Sequence, residues 1–281
     1  MPALMISYTN PANIPPQLTS SHRSSRSTTA AAREPSGQAG TDPVKLRSGM
    51  ASSAATTTSR VLLALGLALL CAAGPAAAQN VASVVTDAFF NGIKNQAPGS
   101  CEGKSFYTRS AFLSAVNSYP GFAHGGSETQ GKREIAAFFA HVTHETGHLC
   151  YISEINKSNS YCDPNNRQWP CAAGKKYYGR GPLQISWNYN YGPAGRSIGF
   201  DGLGNPDRVA QDPVIAFKTA LWFWMNNVHG VMPQGFGATT RAINGALECN
   251  GRNPDQMNAR VRYYRQYCQQ LGVDPGSNLT C

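Results

Sequence analysis

The sequence lacks four features that would place it in other classes of protein. It has no long run of Lys or Arg, no C-x-x-C pair, no alternation of strand and helix patterns, and no internal repeat. The missing basic runs argue against nucleic acid as the main partner. The missing C-x-x-C pairs argue against a zinc ion bound by cysteines.

Long apolar segments are also scarce, and the only one lies near the N-terminus. Residues 61–71 are too few to span a bilayer comfortably, and they lie between Arg60 and three alanines at 76–78. This order predicts a secretory signal peptide over residues 50–78. We interpret residues 1–49 as a disordered upstream extension of the gene model, with an organelle transit peptide as the alternative. Residues 79–281 are then expected to form a single domain that is soluble and free of the membrane.

The predicted mature chain carries only a mild positive charge. Six of the 24 Lys and Arg residues and two of the 15 Asp and Glu residues precede position 79, which leaves 18 basic and 13 acidic residues and a net charge of +5. A basic surface suits an acidic cell wall, although most such surfaces are merely soluble.

Seven cysteines follow the predicted signal peptide, and disulfides are the default in a secreted chain. Cys162 and Cys171 bracket a short loop and are natural partners. Cys281 is the last residue and is expected to tie the tail to the core. Because seven is odd, one thiol should be free, and we assign it to Cys268, which lies in a helical pattern where it can pack as a small hydrophobe.

The apolar pattern predicts a mainly α fold with long loops and a minor β element. A stretch rich in Gly, Pro and Asn at residues 158–212 contains the only strand-like piece, residues 183–187. Five helices are expected: residues 81–94, a helix capped by Thr108 that stops before Pro120, residues 133–146, a helix that begins at Asp212 and Pro213, and residues 253–271.

Residues 177–192, YYGRGPLQISWNYNYG, interleave aromatic rings with amides and a hydroxyl. Aromatic faces pack on sugar rings, and amides bond to hydroxyl and N-acetyl groups. The segment therefore favours a carbohydrate site, with a packed Tyr-rich loop as the alternative.

Residues 144–148, HETGH, have two incompatible interpretations. Taken literally, they are the H-E-x-x-H signature of a zinc metalloprotease. On a helical wheel, however, Phe138, Val142 and Glu145 share one face, so Glu145 would be desolvated at the edge of an apolar patch. Desolvation raises the pKa of a carboxyl group and suits a general acid, whereas a surface Glu closing a helix is the plain alternative.

The zinc interpretation has a specific weakness. A catalytic zinc ion needs three protein ligands, and Glu154 could supply the third only through a sharp turn. Gly147 favours ending the helix before His148 is held in place. We therefore expect no metal and no cofactor, and pair Glu145 with Glu154 as the two carboxylates of the site.

Four motifs resemble plant chitinases of glycoside hydrolase family 19: HETGH at 144–148, YYGRGP at 177–182, SWNYNYG at 186–192 and INGALEC at 243–249. The short spacing at 150–155 is similar to the class IV subgroup, and the match covers nearly all of residues 81–281. The resemblance implies a lysozyme-like, mainly α catalytic domain that cleaves β-1,4-linked N-acetylglucosamine polymers internally. Class IV members usually carry a chitin-binding module before the catalytic domain. Here Gln79 and Asn80 lead straight into Val81, so the module is expected to be missing and the grip on crystalline chitin to be weak.

The resemblance also assigns roles to residues. It implies that Glu145 is the general acid, Glu154 the general base and Ser186 a holder of the attacking water. Substrate-cleft positions are Gln184, Tyr189, Asn190 and Asn244, and the supporting network comprises His144, Thr146, Glu248 and Arg260. The implied disulfides are Cys101–Cys150, Cys162–Cys171 and Cys249–Cys281, which leave Cys268 free.

Two rival functions stay open at this point, a chitin lectin on the same scaffold and a zinc metalloprotease through residues 144–148. The expected partner is chitin or its N-acetylglucosamine oligosaccharides, bound by a monomer in defence against fungi. The expected location is the extracellular space (apoplast) rather than the vacuole.

Overall fold

The structure is a computed structural model that describes residues 80–124 and 126–281. The expected extension over residues 1–49 and the signal peptide over residues 50–78 lie outside these residues. Within them, the regular structure is almost entirely helical. The α-helices are α1 (Val81–Val84), α2 (Asp87–Lys94), α3 (Gly103–Phe106), α4 (Arg109–Val116), α5 (Glu128–Thr146), α6 (Asn188–Ile198), α7 (Arg208–Gln211), α8 (Pro213–Phe223), α9 (Phe236–Glu248) and α10 (Pro254–Gln270). A π-helix (Trp224–Val228) and a 3-10 helix (His229–Gln234) join α8 to α9.

Helix α5 forms the centre of the core. Ser127 caps it in a capping box with Gln130, and every residue from 134 to 146 is buried. Helix α10 packs along α5, while Phe112 of α4 meets Phe139 at 5.0 Å and Phe217 of α8 at 5.5 Å between ring centroids. A helix buried on all sides delivers its C-terminal turn, with Glu145, into the interior.

The predicted helix over residues 81–94 is wrong as one continuous element. It is broken into α1 and α2 because the Thr86 hydroxyl accepts a hydrogen bond from the backbone N–H of Phe89 and caps a new helix. The predicted starts at Thr108, Asp212 and Asn253 are confirmed, since each of these side chains caps its helix.

Four helices were not predicted: the four-residue α3 and α7, and the longer α6 and α9. Helix α6 lies inside the stretch expected to be a loop, and α9 contains Gly237, Asn244 and Gly245, which hide its pattern. Gly237 is required by packing rather than by helix propensity, because a Cβ there would stand 2.0 Å from the carbonyl oxygen of Thr280.

The strand-like piece at residues 183–187 does not form a strand. In the described part of the chain, β structure amounts to two isolated antiparallel bridges, Ser153 with Arg180 and Arg180 with Ile185. The mainly α fold with long loops is confirmed, and its β element is reduced to these bridges.

The disulfides Cys101–Cys150, Cys162–Cys171 and Cys249–Cys281 are all present. The Cys268 thiol is free and fully buried in α10, and burial raises its pKa to about 11. Among the helices described, none combines the length and apolarity needed to cross a membrane.

Candidate active site

Glu145 lies in the last turn of α5 and is only 3% exposed. Burial raises the pKa of its carboxyl group to about 7, with the nearby charge of Arg260 acting in the opposite direction and that of Glu248 adding to the rise. The carboxyl group can therefore keep its proton up to neutral pH, as the helical wheel led us to expect.

One buried guanidinium group serves two carboxylates. Arg260 of α10 binds Glu248 of α9 in a bidentate manner, through Nε at 2.7 Å and Nη2 at 2.7 Å. The same Nη2 lies 2.6 Å from Oε1 of Glu145, yet neither oxygen of Glu145 accepts a well-aligned hydrogen bond from the protein. The guanidinium group of Arg260 therefore pairs fully with Glu248 and only partly with Glu145. Glu145 is thus the carboxyl group that can carry a proton.

Asn244 joins this group through a break in α9. Its backbone leaves the helical region, with φ −145° and ψ 34°, and its Nδ2 donates to Oε1 of Glu248 at 2.8 Å. Oδ1 of Asn244 and Nε2 of His144 are buried polar atoms without a hydrogen-bond partner in the described structure. Since buried polar atoms are normally paired, these two unpaired atoms are candidates to bind a polar ligand.

The turn after α5 is built from its own side chains. Gly147 ends the helix in the left-handed conformation with φ 60°. The Thr146 hydroxyl donates to the carbonyl of Val142 at 2.6 Å and accepts from the N–H of Leu149 at 2.7 Å. Thr146 is therefore a support for the turn that leads from Glu145 toward Glu154.

This turn also decides the geometry of the H-E-x-x-H motif. His144 is within α5, but His148 lies beyond the helix end with φ 66°, and its half-buried ring meets Tyr263 edge-on at 5.2 Å. The two imidazoles are therefore not an i, i+4 pair on one helix. Within residues 80–124 and 126–281, no group of three or more His, Cys, Asp or Glu side chains is arranged to hold a metal ion.

Glu154 is half-buried in the loop after this turn. Its Oε1 accepts from the hydroxyl of Tyr161 at 2.7 Å, and its Oε2 accepts from the N–H of Gly179 at 3.1 Å. The backbone N–H of Glu154 returns a bond to the carbonyl of Gly179 at 2.8 Å. Both carboxylate oxygens accept hydrogen bonds, as an ionised carboxylate does.

Ser186, Gln184 and Asn190 hold each other in the neighbouring loop. The Ser186 hydroxyl donates to the carbonyl of Gln184 at 3.1 Å, and Nδ2 of Asn190 donates to the carbonyl of Ser186 at 2.8 Å. Nε2 of Gln184 donates to the carbonyl of Gly181 at 2.8 Å. Gly181 in turn donates its N–H to the carbonyl of Ile152, which attaches this loop to the segment that carries Glu154.

Tyr189 is linked to Glu154 through aromatic rings. It stacks on Trp187 at 5.6 Å with an interplanar angle of 13°, and Trp187 meets Tyr161 edge-on at 5.4 Å. Tyr161 is the residue that donates to Glu154. The sequence-predicted residues therefore form two groups, one around Glu145 and one around Glu154.

Backbone strain is concentrated in these loops. Eight non-glycine residues in the described part of the chain have positive φ, and five of them flank the two carboxylates: His148, Leu149, Tyr161, Gln184 and Trp187. Strained conformations of this kind persist at functional sites when the surroundings over-determine them.

Sequence reasoning missed Tyr161 and Gly179, the two partners of Glu154. Both lie in loops, where the sequence has no periodic pattern from which side-chain contacts could be predicted. The aromatic character of Tyr161 beside Cys162 was the one available signal, because a short disulfide loop fixes the residues at its base.

A separate cavity of about 300 Å³ lies beside the N-terminal half of α5. Its walls include Glu134, His229, Phe236 and Tyr264, and it contains none of the predicted site residues. The chemistry of the site belongs instead to the two carboxylate groups.

A buried carboxyl group with a raised pKa and a second, hydrogen-bonded carboxylate in aromatic loops are typical of a glycoside hydrolase. The family described as "Chitinase class I", glycoside hydrolase family 19, matches residues 84–234 and 227–281. The chain belongs to the glycoside hydrolase family 19 chitinases and is therefore an enzyme.

Individual relatives agree with this membership. The chain is 86% identical to "Endochitinase A" of Zea mays over 202 residues, which cover 72% of each protein. It is 75% identical to "Chitinase 5" of Oryza sativa subsp. japonica over 203 residues, 72% of this chain and 70% of the relative.

Solved structures give the same result for the fold. The class IV chitinase of Zea mays is 82% identical, with a TM-score of 0.70 over 72% of this chain and 100% of that one. Chitinase C of Streptomyces griseus is 45% identical, with a TM-score of 0.65 over 70% and 97%. The predicted lysozyme-like, α-rich fold is confirmed.

Proposed function

We propose that this enzyme is an endochitinase that hydrolyses β-1,4 linkages between N-acetylglucosamine units with inversion at the anomeric carbon. The observation that carries the mechanism is the buried Glu145, whose pKa of about 7 lets it hold a proton beside Arg260. Family membership and the names of the maize relatives support the substrate class.

The reaction is a single displacement with two proton transfers. Glu145 gives its proton to the glycosidic oxygen as the bond between that oxygen and the anomeric carbon breaks. Glu154 takes a proton from a water molecule whose oxygen bonds to the opposite face of the same carbon. Exchange of protons with solvent then restores both groups. Inverting enzymes hold their two carboxyl groups about 6.5–9.5 Å apart to admit this water.

The remaining residues bind the sugar and the water in this proposal. Ser186 helps to hold the attacking water. Gln184, Tyr189, Asn190 and Asn244 contact the substrate, and the unpaired Oδ1 of Asn244 is available as an acceptor for an N–H or O–H group of the sugar. His144, Thr146, Glu248 and Arg260 support Glu145.

The first test is Glu145→Gln, which keeps the shape of the side chain and removes the transferable proton. A positioned general acid contributes about 10²–10⁴-fold, so kcat on chitin oligosaccharides should fall at least about 100-fold. Glu128→Gln is the matched control, because Glu128 is an exposed acid at the other end of the same helix. Near-full hydrolysis by the Glu145→Gln variant would disprove the assignment.

The second test is the anomeric form of the fresh product, followed by NMR before mutarotation. An initial α-anomer supports inversion, and an initial β-anomer refutes it. Binding of chitin oligosaccharides without any product would favour a lectin instead. Glu154→Gln should lose hydrolysis as Glu145→Gln does, while both variants still bind the oligosaccharide.

We also propose that the enzyme is secreted to the apoplast, acts as a monomer and serves in defence against fungi. The disulfides Cys101–Cys150, Cys162–Cys171 and Cys249–Cys281 support an oxidising compartment. Mass spectrometry of the mature N-terminus in plant tissue, with localisation of the tagged chain, tests secretion. Light scattering of the purified enzyme tests the monomer, and growth inhibition of a fungus with a chitinous wall tests defence.

A further inference from the structure

His141 lies one helical turn before Glu145 on α5 and is completely buried. Its Nδ1 is 3.0 Å from Nη1 of Arg260, and its Nε2 is 2.8 Å from the hydroxyl of Thr239. The Thr239 hydroxyl is in turn 2.6 Å from the carbonyl oxygen of Phe236. A hydrogen-bonded chain therefore runs from the backbone of α9 through His141 to Arg260.

The direction of every bond in this chain is determined. A guanidinium group has no acceptor, so Nδ1 of His141 must accept from Arg260. The ring proton is then on Nε2 and is donated to the Thr239 hydroxyl, which passes its own hydrogen to the carbonyl of Phe236. This fixes one neutral tautomer of His141.

No neighbouring charge favours protonation of this imidazole. Burial, the charge of Arg260 on α10 and the proximity of His144 on α5 all lower the pKa of His141 well below its usual value. The group facing it from α9 is the uncharged Thr239. A second proton on Nδ1 would also point directly at Nη1 of Arg260.

Stacked rings hold the plane of the imidazole. His141 stacks on Phe236 at 4.8 Å and 16°, and Phe236 stacks on Tyr264 at 4.2 Å and 3°. Rotation of the imidazole through the perpendicular would collide with Phe236, so its two nitrogens cannot exchange places without moving α9.

We propose that His141 is a positioning residue that holds the guanidinium of Arg260 in the orientation that binds Glu248 fully and Glu145 only partly. This inference rests on the proposed role of Glu145 as proton donor. Without the acceptor at His141, Nη1 of Arg260 would be a buried donor with no partner. Both Glu145 oxygens are unsatisfied acceptors, and Oε1 is already in contact with the same guanidinium.

Loss of this acceptor should therefore turn Arg260 toward Glu145. A fuller ion pair favours the ionised carboxylate, and an ionised Glu145 cannot protonate the leaving oxygen. The enzyme would keep its substrate contacts and lose its acid at neutral pH. The expected signature is a change in kcat and in the pH profile, with KM little altered.

The experiment compares the pH dependence of kcat/KM on chitin oligosaccharides for wild type, His141→Leu and His141→Gln. In His141→Leu, the basic limb should move to lower pH by about one unit, which lowers kcat/KM at pH 7 about five-fold. His141→Gln should stay close to wild type, because its amide oxygen can accept from Arg260 while its NH₂ donates to Thr239.

Thr143→Val is the matched control for damage to α5. Thr143 is fully buried on the same helix, and its hydroxyl is 2.7 Å from that of Tyr267 rather than near Arg260. It loses one buried hydrogen bond on α5, whereas His141→Leu loses two, and it should leave the basic limb in place. A basic limb that moves equally in Thr143→Val would overturn the proposal.

Thr239 provides an independent test that leaves His141 in place. Thr239→Val removes the acceptor for Nε2–H, so the imidazole that presents Nδ1 to Arg260 is held less firmly and Nδ1 accepts a weaker hydrogen bond. The basic limb should again move to lower pH, whereas Thr239→Ser, which keeps the hydroxyl, should not shift it. This pair also decides the matter if His141→Leu does not fold.

Folded His141→Leu and Thr239→Val proteins with an unmoved basic limb would overturn the proposal, as would a rise in KM alone. Failure of this inference is distinguishable from failure of the proposed function. If Glu145→Gln is inactive while the basic limbs of His141→Leu and Thr239→Val do not move, only the proposed role of His141 is wrong. If Glu145→Gln stays active, the proton donor itself is wrong.

Discussion

At the scale of single residues, burial of Glu145 lowers the free energy of unfolding once its carboxyl group ionises. The same burial keeps a proton available on that group. Its pKa rises from 4.5 to about 7 because the carboxyl group is buried. Between these values the folded state keeps the proton that the unfolded chain has released. The contribution of this proton to stability is fully present below the unfolded pKa and is lost as pH rises through the folded pKa.

The wild-type enzyme should therefore become less stable between about pH 5 and about pH 8. One pKa unit corresponds to about 1.4 kcal/mol, so the loss should reach a few kcal/mol at most. Glu145→Gln cannot ionise and should flatten this dependence. Urea unfolding across the pH range measures the free energy of unfolding at each pH. Glu128→Gln, which removes an exposed carboxyl group, should keep the wild-type slope. Parallel slopes for wild type and Glu145→Gln would contradict the expectation.

At the scale of elements, the end of α5 sets the path from the acid to the base. Gly147 has φ 60°, and a Cβ added there would lie 3.3 Å from the ring of Tyr151. Gly147→Ala should cost about 1–2 kcal/mol for the left-handed conformation. It should also lower kcat several-fold, because Tyr151 must yield and the turn toward Glu154 moves with it.

Gly272→Ala is the matched control for Gly147→Ala. Gly272 follows the end of α10 with φ 67°, and a Cβ there meets nothing within 4 Å. Both variants should lose similar stability in thermal unfolding, but only Gly147→Ala should lose kcat. Equal activity in the two variants would show that the turn does not control the site.

Local rules predicted the elements that begin with strong caps. Thr108, Asp212 and Asn253 each start a helix because their side chains satisfy the first free backbone N–H groups. The same rule applies at Thr86 and accounts for the break between α1 and α2. Helix α9 was not predicted because two of its residues disfavour a helix. Gly237 makes room for the C-terminal tail, and Asn244 leaves the helical conformation to donate to Glu248.

At the scale of the whole molecule, the site consists of contacts between distant segments that no local pattern reports. Burial of Glu145 followed from the period of α5, but its contact with Arg260 depends on how α10 packs against α5. The role of His141 likewise depends on contacts with Arg260 of α10 and Thr239 of α9 that lie far from it in the sequence. Sequence resemblance named Glu248 and Arg260, while only packing explains which of the two carboxyl groups keeps a proton.

The disulfides offer a test that separates stability from activity. Each joins the chain beside the site: Cys150 lies between Glu145 and Glu154, Cys162 follows Tyr161, and Cys249 follows Glu248. Their sequence separations are 49, 9 and 32 residues. Loop-closure entropy then predicts that losing the bond costs about 4, about 2.5 and about 4 kcal/mol respectively.

Replacing Cys162 and Cys171 together by Ser should thus be the mildest change for stability but should still lower kcat about ten-fold. The loop they close positions Tyr161, whose hydroxyl donates to Glu154 at 2.7 Å. Without the disulfide, Tyr161 would no longer fix the Glu154 carboxylate in the position that aligns the water. Tyr161→Phe should reproduce the loss of kcat with less loss of stability, because it removes the hydroxyl and leaves the loop closed. Urea unfolding and oligosaccharide hydrolysis, at a temperature where all variants are folded, measure both quantities. Unchanged kcat in the double Ser variant would mean that Glu154 is held by its backbone and Gly179 alone.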